Sequence, residues 1–588
     1  MENLVVFDCE VYPNLFLICF KGLESQKVIT ISIKDKEVLS DIDIATIKSI
    51  FMNKMCFGFN TRNYDIPIIL YALKKMNPYQ IFNLSKNIIE KSQYGWQTLQ
   101  SQNLKIPESW KWFDIQEVAG ARSSLKLYGA RLHSNKIIEL PYDPTIELNQ
   151  EQINNVITYC VNDLDLTINL YERLKDQIEL RAKMSIEYKE NLLSKSDAQI
   201  AEKIIKSKLN ISNVNIKQPE SFKYIKPNFI KFKSDYLNNL LKLILDIDFI
   251  LDDKGSIQLP KELEKETIVI NNKKYNLGIG GLHSCEKSIT YYSNDKFTII
   301  DKDVASYYPS IILNCNLYPK QLGEKFLKVY KDIVMRRLLA KKTKDKVTNE
   351  SLKIVINGSF GKLGSKYSIL YSPNLMIQVT ITGQLCLLML IEKLEENGIE
   401  VISANTDGIV SYITNDKVKL FEKICLDWEL NTGFELEGTK YKAYHSRDVN
   451  NYLAIKFDNT TKGKGIFTKD TLSKNPQGTI IFDSVIEYLV NNKPIMKTLK
   501  ECIDIKKFIT VRTVTGGAKW NEEYLGKVVR WIYSTQGNTI HYCKNNNKVA
   551  KSDGAYPIKE LCDLPIHIDY SKYEEEALEI IKLLGLKL

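Results

Sequence analysis

The segment FTIIDKDVASYYPSII, residues 297–312, joins an apolar run to a turn that carries carboxylates. The run at 297–300 predicts a β-strand. Asp301 and Asp303 follow it directly, and Pro309 bounds the turn that comes next. Taken alone, the segment is compatible with a strand end followed by a helix cap. Its meaning depends on two segments further along the chain.

Those two downstream segments have equally definite spacings. Residues 353–361, KIVINGSFG, predict an amphipathic helix with Lys353, Asn357 and Phe360 on one face. Residues 400–413, EVISANTDGIVSYI, predict a hairpin whose tip contains Asp-Gly. An ordinary amphipathic helix and an ordinary tight turn are the alternatives when each segment is considered separately.

Together the three segments resemble motifs A, B and C of the family B DNA polymerases. In motif A, D-x-x-S-L-Y-P, the register selects Asp303 rather than Asp301 as the metal ligand. Motif B is K-x-x-x-N-S-x-Y-G, and motif C is Y-x-D-T-D. The chain departs from these patterns at Tyr307, Gly358, Phe360 and Asn405, which stand for Leu, Ser, Tyr and the first Asp of motif C.

This resemblance implies a site for two divalent ions and a nucleoside triphosphate. The residues implied to hold the ions are Asp303, Val304 and Asp407. The residues implied to bind the dNTP are Val304, Tyr308, Arg337, Lys341, Lys353 and Asn357, among which Tyr308 would lie under the sugar and exclude a 2′-hydroxyl. The cations suit a triphosphate. Two carboxylates and the triphosphate oxygens suffice for two ions, so we expect activity despite Asn405.

A second group of carboxylates lies in the first third of the chain. Asp8 and Glu10 end the first predicted strand, where alternation puts both side chains on one face. Asp65 ends the segment NTRNYD between a predicted strand and helix, where it could also be an N-cap. Tyr159 and Asp163 have the i, i+4 spacing of one helix face. Separately, these are a solvated strand end, a cap and a surface pair.

In this order, Asp-x-Glu, Asn-x-x-x-Tyr-Asp and Tyr-x-x-x-Asp resemble the three-part signature of the DnaQ-like 3′–5′ exonucleases. The resemblance implies an RNase H-like domain whose metal ligands are Asp8, Glu10, Asp65 and Asp163. Tyr159 would orient the attacking water. The residues implied to contact single-stranded DNA are Asn60, Ser124 and Leu125, and Ser124 is equally interpretable as a helix start.

Residues 440–469 alternate lysines and arginine with tyrosine and phenylalanine, a composition that suits a phosphate backbone and a stacked base. Solvated strands are the alternative. Family B chains have a K-x-Y element here that contacts the primer end, and this chain has Asn450 in place of the lysine. The DNA-binding residues predicted on the polymerase side are Phe360, Gly361, Lys440 and Tyr452.

Composition limits the class of protein. The chain has 588 residues, of which 44% are hydrophobic and 26% charged, which excludes disordered and fibrous classes. Its net charge of +10 permits a polyanionic partner. Its eleven cysteines form no C-x-x-C pair, which indicates reduced thiols. There is neither a signal-peptide pattern nor an uninterrupted apolar run of about 18 residues. We therefore expect a soluble, cytoplasmic protein, in the host cytoplasm if it is phage-encoded.

The predicted fold class is α/β and α+β multidomain, with an RNase H-like exonuclease domain followed by a right-hand polymerase. The predicted domains are an exonuclease at 1–195, a connecting region at 196–285, palm at 286–322 and 366–465, fingers at 323–365 and thumb at 466–588. Because Asp8 lies so near the start, we expect no N-terminal domain like that of the larger members.

The prediction is therefore a proofreading family B DNA polymerase of the compact phage type, with Mg²⁺, or Mn²⁺ as an alternative, at both sites. The expected partners are primer–template DNA and dNTPs, with a helicase, clamp or single-strand-binding protein as further candidates. We expect a monomer without membrane association. The alternatives are an exonuclease with a degenerate polymerase half that acts as a DNA-binding module, and a non-catalytic DNA-binding subunit.

The motif spacing also predicts the mode of priming. Asp303 and Lys353 are 50 residues apart, and Lys353 and Asp407 are 54 residues apart. These intervals leave no room for the two insertions by which protein-primed relatives dock a priming protein and encircle the template. We expect extension from a nucleic-acid 3′-hydroxyl, with weak unaided strand displacement.

Overall fold

The computed structural model describes residues 3–120, 123–211, 214, 216–217, 220–468, 471–561, 563–565 and 567–586. Over those residues the chain forms 21 strands and 18 α-helices. The strands are β1 (Leu4–Tyr12), β2 (Leu15–Gly22), β3 (Val28–Lys34), β4 (Met55–Gly58), β5 (Trp112–Asp114), β6 (Ser221–Phe222), β7 (Phe249–Ile250), β8 (Thr267–Ile270), β9 (Lys273–Asn276), β10 (His283–Ser284), β11 (Ile289–Tyr292), β12 (Phe297–Val304), β13 (Glu400–Asn405), β14 (Gly408–Thr414), β15 (Leu436–Asp448), β16 (Asn451–Lys456), β17 (Thr461–Lys464), β18 (Thr510–Trp520), β19 (Glu523–Asn538), β20 (His541–Tyr542) and β21 (Ala555–Pro557).

The helices are α1 (Asp41–Asn53), α2 (Asp65–Ala72), α3 (Pro78–Glu90), α4 (Gly95–Ser101), α5 (Gln116–Ala119), α6 (Leu125–Arg131), α7 (Gln150–Tyr188), α8 (Asp197–Leu209), α9 (Asp235–Asp246), α10 (Lys261–Glu264), α11 (Tyr307–Asn314), α12 (Lys325–Lys342), α13 (Lys346–Lys362), α14 (Pro373–Glu396), α15 (Val418–Thr432), α16 (Thr479–Asn491), α17 (Ile495–Glu501) and α18 (Tyr570–Leu583). The mixed α/β, multidomain class predicted from the sequence is confirmed.

The chain divides into two compact units. Unit 1 comprises Met1–Ser196, Asp470–Ile481 and Met496–Tyr573, and unit 2 comprises Asp197–Lys469, Phe482–Ile495 and Glu574–Leu588. The first segment of unit 1 nearly coincides with the predicted exonuclease domain. The predicted thumb, in contrast, is divided between the two units. Most of its residues cluster with the N-terminal segment in unit 1, and the others belong to unit 2. All of the predicted domain boundaries stay predictions.

The main sheet of unit 1 has the strand order β3-β2-β1-β4-β5. β1, β2 and β3 form the antiparallel meander that their apolar runs predict, and β4 pairs parallel to β1. Alternation along β1 sends Phe7 and Cys9 into one core, against α1 to α3, and Val6 and Tyr12 into another, against α7. Asp8 and Glu10 share the face of Val6 and Tyr12, so they point toward α7.

The C-terminal sheet of unit 1, β20-β18-β19-β21, is held to the N-terminal segment by a buried arginine on β19. The guanidinium of Arg530, which is 4% exposed, donates at 2.5–2.9 Å to backbone carbonyls. Its acceptors are Ser134, Asn135, Ile558 and Lys559. This contact explains why residues around 530 belong to unit 1, although they lie nearly 400 positions from Ser134.

We expect Arg530→Met to lower the free energy of unfolding by about 3 kcal/mol, because it leaves several buried carbonyl groups without donors. Lys527→Met is a matched control on the same strand, since Lys527 is exposed, and its effect should stay within about 0.5 kcal/mol. Urea denaturation followed by circular dichroism measures both variants. Equal effects of the two substitutions would contradict this role for Arg530.

Unit 2 is built on a ten-stranded sheet in which β12 lies between β14 and β15. Helix α14 is its core helix, with nearly every residue from Ile377 to Leu394 buried. Among the described residues, α14 is also the one helix long and apolar enough to span a membrane, with a mean hydropathy of 1.7 over an 18-residue stretch that is 83% buried. Its threonines and glutamines interrupt the apolar residues of the helix.

Candidate active sites

Two carboxylates of unit 2 are brought together by strand pairing. β12 and β14 are antiparallel, and their register places Asp303 opposite Gly408, directly beside Asp407. The Val304 N–H donates to the carbonyl of Asp407 at 2.7 Å, which ties the ends of the two strands. The hairpin predicted at 400–413 is present, with Asn405 paired to Gly408 across a two-residue turn.

A cavity of 830 Å³ opens over this strand pair. Its charged lining residues are equally divided between the two signs. The acids are Asp301, Asp303, Asp407, Glu435 and Glu437, and the bases are Arg337, Lys341, Lys342, Lys462 and Lys464. The metal-ligand candidates Asp303, Val304 and Asp407 offer only oxygen donors, which fit the preference of Mg²⁺. The cavity therefore suits a polyanion bound together with hard cations.

A neighbouring cavity of 340 Å³ shares Val304, Arg337 and Asp407 with the first. Tyr308, Asn357 and Phe360 also line it. The ring centroids of Tyr308 and Phe360 are 4.5 Å apart, and the Tyr308 hydroxyl donates to the carbonyl of Gly280. An aromatic pair thus borders the cavity that Asp407 lines.

The predicted triphosphate cations are not equally close to the acids. Arg337 donates to the Ser306 hydroxyl at 3.2 Å and lines both cavities. Lys341 lines the larger cavity and pairs with Glu437 at 2.6 Å. Lys353 lines neither cavity, although it shares the exposed face of α13 with Asn357.

The predicted DNA-binding residues also divide. Tyr452 lines the larger cavity and Phe360 the smaller one, while a Cβ added at Gly361 would meet open space. Lys440 is paired with Ile300, one position out of step with Asp301 and Asp303, so it lies on the opposite face of the sheet. Lys440 therefore does not line this cavity, and its contact with DNA stays a prediction.

Asn405 has a structural role in the turn. Its side-chain N–H donates to the carbonyl of Val449 at 2.9 Å, and its Oδ1 accepts from the Thr406 hydroxyl at 3.1 Å. The side chain that replaces the first Asp of motif C therefore holds the backbone beside Asp407. No carboxylate is supplied from this position.

Sequence reasoning missed Lys462 and Lys464 as members of the site. Lys462 Nζ lies 2.9 Å from Asp301 and 3.0 Å from Asp303, and Lys464 is opposite Tyr452 in the β16–β17 register. The signal was present as Lys-Gly-Lys in a strand, where alternation puts both lysines on one face. Gly463 between them is required, since a Cβ there would lie 2.3 Å from the carbonyl of Phe467.

The electrostatics of the cavity favour a bound cation. Lost hydration, followed by the charge of Asp303, raises the pKa of the Asp407 carboxyl. Lost hydration also lowers the pKa of Lys464. Both shifts come mainly from burial, and a divalent ion beside Asp303 and Asp407 would offset the shift at Asp407.

Gly408 sets the position of Asp303. A Cβ built at Gly408 would lie 2.2 Å from Asp303 Oδ1 and 3.0 Å from the carbonyl of Lys302. We expect Gly408→Ala to displace the Asp303 carboxylate and to reduce nucleotide incorporation at least about 100-fold, since misplacement by 1 Å has that effect. Gly364→Ala, whose Cβ would make an ordinary contact of 3.4 Å with Met376, is the control. Primer-extension rates measure both, and comparable rates for the two variants would contradict the argument.

The second candidate site lies in unit 1, where β1 faces α7. Asp65, which is 2% exposed, accepts the N–H of Cys9 at 3.0 Å and so lies beside Asp8 and Glu10. Asp163 on α7 is buried one helical turn from Tyr159, and, after burial itself, its negative charge raises the pKa of Glu10 and of the Tyr159 phenol. The structure thus brings the five predicted residues together. Asp65 is the first residue of α2, and Tyr64 is the N-cap. The Asp65 carboxylate accepts a hydrogen bond from the backbone of β1.

Two further side chains belong to this cluster. Lys126 forms an ion pair with Asp163, and its Nζ lies 4.1 Å from the centre of the Tyr159 ring. Cys160 Sγ lies within 4.8 Å of ligand atoms of Asp8 and Glu10. Lys126 directly follows the predicted Ser-Leu element, but its reach to α7 had no signal in the sequence.

Crowding of these carboxylates makes a divalent cation fit this site as well. Burial raises the pKa values of Asp8, Glu10 and Asp163, and the neighbouring carboxylates raise those of Asp8 and Glu10 further. Burial raises the pKa of Asp65 to about 7. Lys126 offsets only part of the accumulated negative charge, and oxygen-rich clusters of this kind are suited to Mg²⁺ or Mn²⁺.

We therefore expect the metal-free protein to lose stability as the pH rises. Burial raises the pKa of Asp65 from its ordinary value of 3.8 to about 7. Between these two pH values the folded protein keeps a proton on Asp65 that the unfolded chain has lost. The corresponding stability is present below about pH 4 and is lost as the pH rises through about 7. Thermal unfolding in EDTA from pH 5 to 8 should show this decline, and Mg²⁺ should reverse it.

Asp65→Asn should flatten this pH dependence, whereas Asp176→Asn, an exposed position on α7, should leave it unchanged. An identical slope in both variants, with no effect of Mg²⁺, would show that the cluster does not control stability.

The predicted DNA contacts of unit 1 have defined places. Asn60 has a left-handed φ of 61°, and its N–H donates to Asp114 at 3.0 Å in the loop that leads to Asp65. Ser124 is the N-cap of α6, where its hydroxyl accepts the Leu127 N–H, and Leu125 packs partly buried on the core beside α7. The helix-start interpretation of Ser124 is confirmed, and DNA contact stays a prediction for all three residues.

Comparison with known proteins gives distant sequence similarity to DNA polymerases. The chain is 24% identical over 263 residues to DNA polymerase 1 of Sulfolobus acidocaldarius, covering 38% of this chain and 29% of that protein. It is 27% identical over 215 residues to DNA polymerase 1 of Aeropyrum pernix, covering 29% of this chain and 22% of that protein. The matches span less than a third of the length of either relative.

Among solved structures, the family B DNA polymerase of the hyperthermophilic archaeon Pyrobaculum calidifontis matches with 14% identity and a TM-score of 0.41, over 100% of this chain and 79% of that one. No protein-family profile matches the chain. The similarity to DNA polymerases agrees with the broader part of the sequence-based prediction. The exonuclease and phage parts stay predictions.

Proposed function

We propose that this protein is a family B DNA-directed DNA polymerase with its own 3′–5′ proofreading exonuclease. The observation that carries the proposal is the pairing of β12 with β14, which puts Asp303 and Asp407 side by side in a cavity lined with cations. The similarity to archaeal DNA polymerases supports it. Exonucleolytic proofreading is supported by the second carboxylate cluster, at Asp8, Glu10, Asp65 and Asp163.

In synthesis, a bond forms between the primer 3′-oxygen and the α-phosphorus of a dNTP. The bond from that phosphorus to the bridging oxygen breaks, pyrophosphate leaves, and the proton of the hydroxyl passes to solvent. Asp303, Val304 and Asp407 would hold the divalent ions, which would activate the hydroxyl and neutralise the leaving group. Arg337 and Lys341 hold the triphosphate, and Tyr308 lies against the sugar.

In proofreading, water adds across the 3′-terminal phosphodiester and a nucleoside 5′-monophosphate leaves. The Tyr159 phenol, one helical turn from Asp163 on α7, is proposed to orient the attacking water. Lys126 holds the Asp163 carboxylate on its other side. Asn60, Ser124 and Leu125 are proposed to contact the single-stranded 3′ end.

The proposed domains follow the motifs: exonuclease at 1–195, connecting region at 196–285, palm at 286–322 and 366–465, and fingers at 323–365. The thumb is proposed within 466–588. The proposed setting is phage genome replication in a host cytoplasm, by a monomer that uses primer–template DNA and cooperates with a helicase, clamp or single-strand-binding protein.

The competing function is an exonuclease whose polymerase half is a DNA-binding module, favoured by Gly358, Phe360, Asn405 and Asn450. A labelled primer annealed to a longer template, incubated with Mg²⁺ and either with or without dNTPs, separates the two. The proposed function predicts extension with dNTPs and shortening without them. Shortening of the primer under both conditions would favour the competing function. If the primer is neither extended nor shortened, DNA binding is the one function that remains.

A further inference from the structure

One lysine of unit 2 is shared between two carboxylates at the proposed polymerase site. Lys462 lies on β17, at the edge of the sheet, and its side chain crosses the buried Ala454, its partner in register on β16. Its Nζ lies 2.9 Å from Asp301 Oδ2 and 3.0 Å from Asp303 Oδ2. A protein cation therefore already contacts the carboxylate that the proposed function assigns to a metal ion.

The two contacts of Lys462 differ in strength. The Asp301 side chain is 6% exposed, and the Tyr441 hydroxyl also donates to it at 2.5 Å. A buried carboxylate without a cation is strongly destabilising, so Asp301, itself held by Tyr441, fixes the lysine in place. The Asp303 side chain is 48% exposed and opens into the cavity, where solvent or another cation can replace the ammonium group.

Among the described residues, no other lysine forms an ion pair with Asp303. Lys302, which lies between the two acids in sequence, points to the other face of the sheet and pairs with Glu422 at 2.7 Å. Lys464 lines the cavity beyond Lys462 and forms no ion pair with Asp303. The ammonium group of Lys462 is thus the cation that holds Asp303.

We propose that Lys462 is a positioning residue that occupies Asp303 in the metal-free protein, so that a divalent ion must take this carboxylate from it. The inference rests on the proposed function. Asp301, which the motif register leaves out of the metal site, acquires a role as the anchor of Lys462. The consequence is that a divalent ion alone binds weakly at Asp303, and binds well when a triphosphate contributes further oxygens.

The test is a titration of the protein with Mn²⁺, followed by electron paramagnetic resonance, without DNA or nucleotide. The Asp8→Ala, Glu10→Ala background removes two of the four carboxylates of the cluster in unit 1, which would compete for the ion. In that background, Asp303→Asn identifies the binding event at this site. Asp301→Asn combined with Lys462→Met removes the buried ion pair as a whole, so no uncompensated charge remains.

We expect the double substitution to tighten Mn²⁺ binding about tenfold, because a positive charge about 3 Å from the ligand is removed. Lys462→Arg with Asp301 unaltered keeps the positive charge, so this variant should bind Mn²⁺ as weakly as the background protein. Lys462→Met alone should lower the thermal stability in EDTA. Adding Asp301→Asn to Lys462→Met should recover most of the lost stability. A purely structural ion pair would give the same stability pattern. It would not change the affinity for Mn²⁺.

Unchanged or weaker Mn²⁺ binding in the double variant, with the fold intact by circular dichroism, would overturn the role of Lys462 and leave the proposed function standing. If Asp303→Asn does not change Mn²⁺ binding at all, no ion binds this carboxylate. That result would overturn both the inference and the metal site of the proposed polymerase.

Discussion

Asp407→Ala should abolish nucleotide incorporation and leave 3′ degradation intact, while the pair Asp8→Ala and Glu10→Ala should do the reverse. Each substitution removes ligands from one carboxylate cluster, and the two clusters are built in different units. The loss of a metal ligand should raise the barrier of the affected reaction by about 4 kcal/mol, or roughly a thousandfold in rate. Primer extension and primer shortening, measured separately, give the two rates.

Asp416→Ala and Glu172→Ala are suitable controls, because both acids are exposed and lie in the same units as the carboxylates under test. Neither should change either rate by more than about twofold. The assignment of two independent sites would be wrong if either test variant lost both activities while its circular dichroism spectrum stayed that of the unaltered protein.

Tyr308→Ala should allow ribonucleotides to be incorporated, with selectivity for dNTP over rNTP reduced about 100-fold. The ring lies against Phe360 in the cavity beside Asp407, where it would meet a 2′-hydroxyl. Its removal relieves a steric conflict and takes away no attractive contact with the sugar.

Tyr308→Phe is the matched control, since it keeps the ring and loses only the hydrogen bond to the carbonyl of Gly280. It should keep most of the selectivity. Single-nucleotide incorporation kinetics with each dNTP and its rNTP measure the ratio. Equal selectivity in the alanine variant and the unaltered protein would mean that the motif A register, and with it the choice of Asp303, is wrong.

The parts of the fold that the sequence predicted are those fixed by local pattern. Apolar runs predicted the meander of β1 to β3, and the flanking runs predicted the hairpin that carries Asp407. Strand alternation placed Asp8 and Glu10 on one face, and helical spacing did the same for Tyr159 and Asp163. Such patterns extend over a few residues, so they survive without knowledge of the tertiary structure.

The parts that the sequence did not predict depend on contacts between distant segments. Lys462 reaches Asp301 across 161 positions, and Arg530 reaches Ser134 across 396. Lys440 was predicted to bind DNA because it lies in a segment rich in basic and aromatic residues, but the register of β12 with β15 puts it on the other face of the sheet from Asp301 and Asp303. A pattern of charges in the sequence indicates that a strand carries lysines able to contact a carboxylate. Which lysine makes the contact depends on how the strands pair.

The most direct test of the central claim is single-nucleotide incorporation with the Asp8→Ala, Glu10→Ala protein, in which degradation is suppressed. Each of the four dNTPs is offered separately to a labelled primer on four templates that differ only in the first unpaired base. The account predicts that each template directs addition of its complementary nucleotide, and that Asp407→Ala in the same background adds none. Addition without regard to the template base, or addition that persists in the Asp407→Ala protein, would contradict template-directed synthesis at the Asp303–Asp407 site.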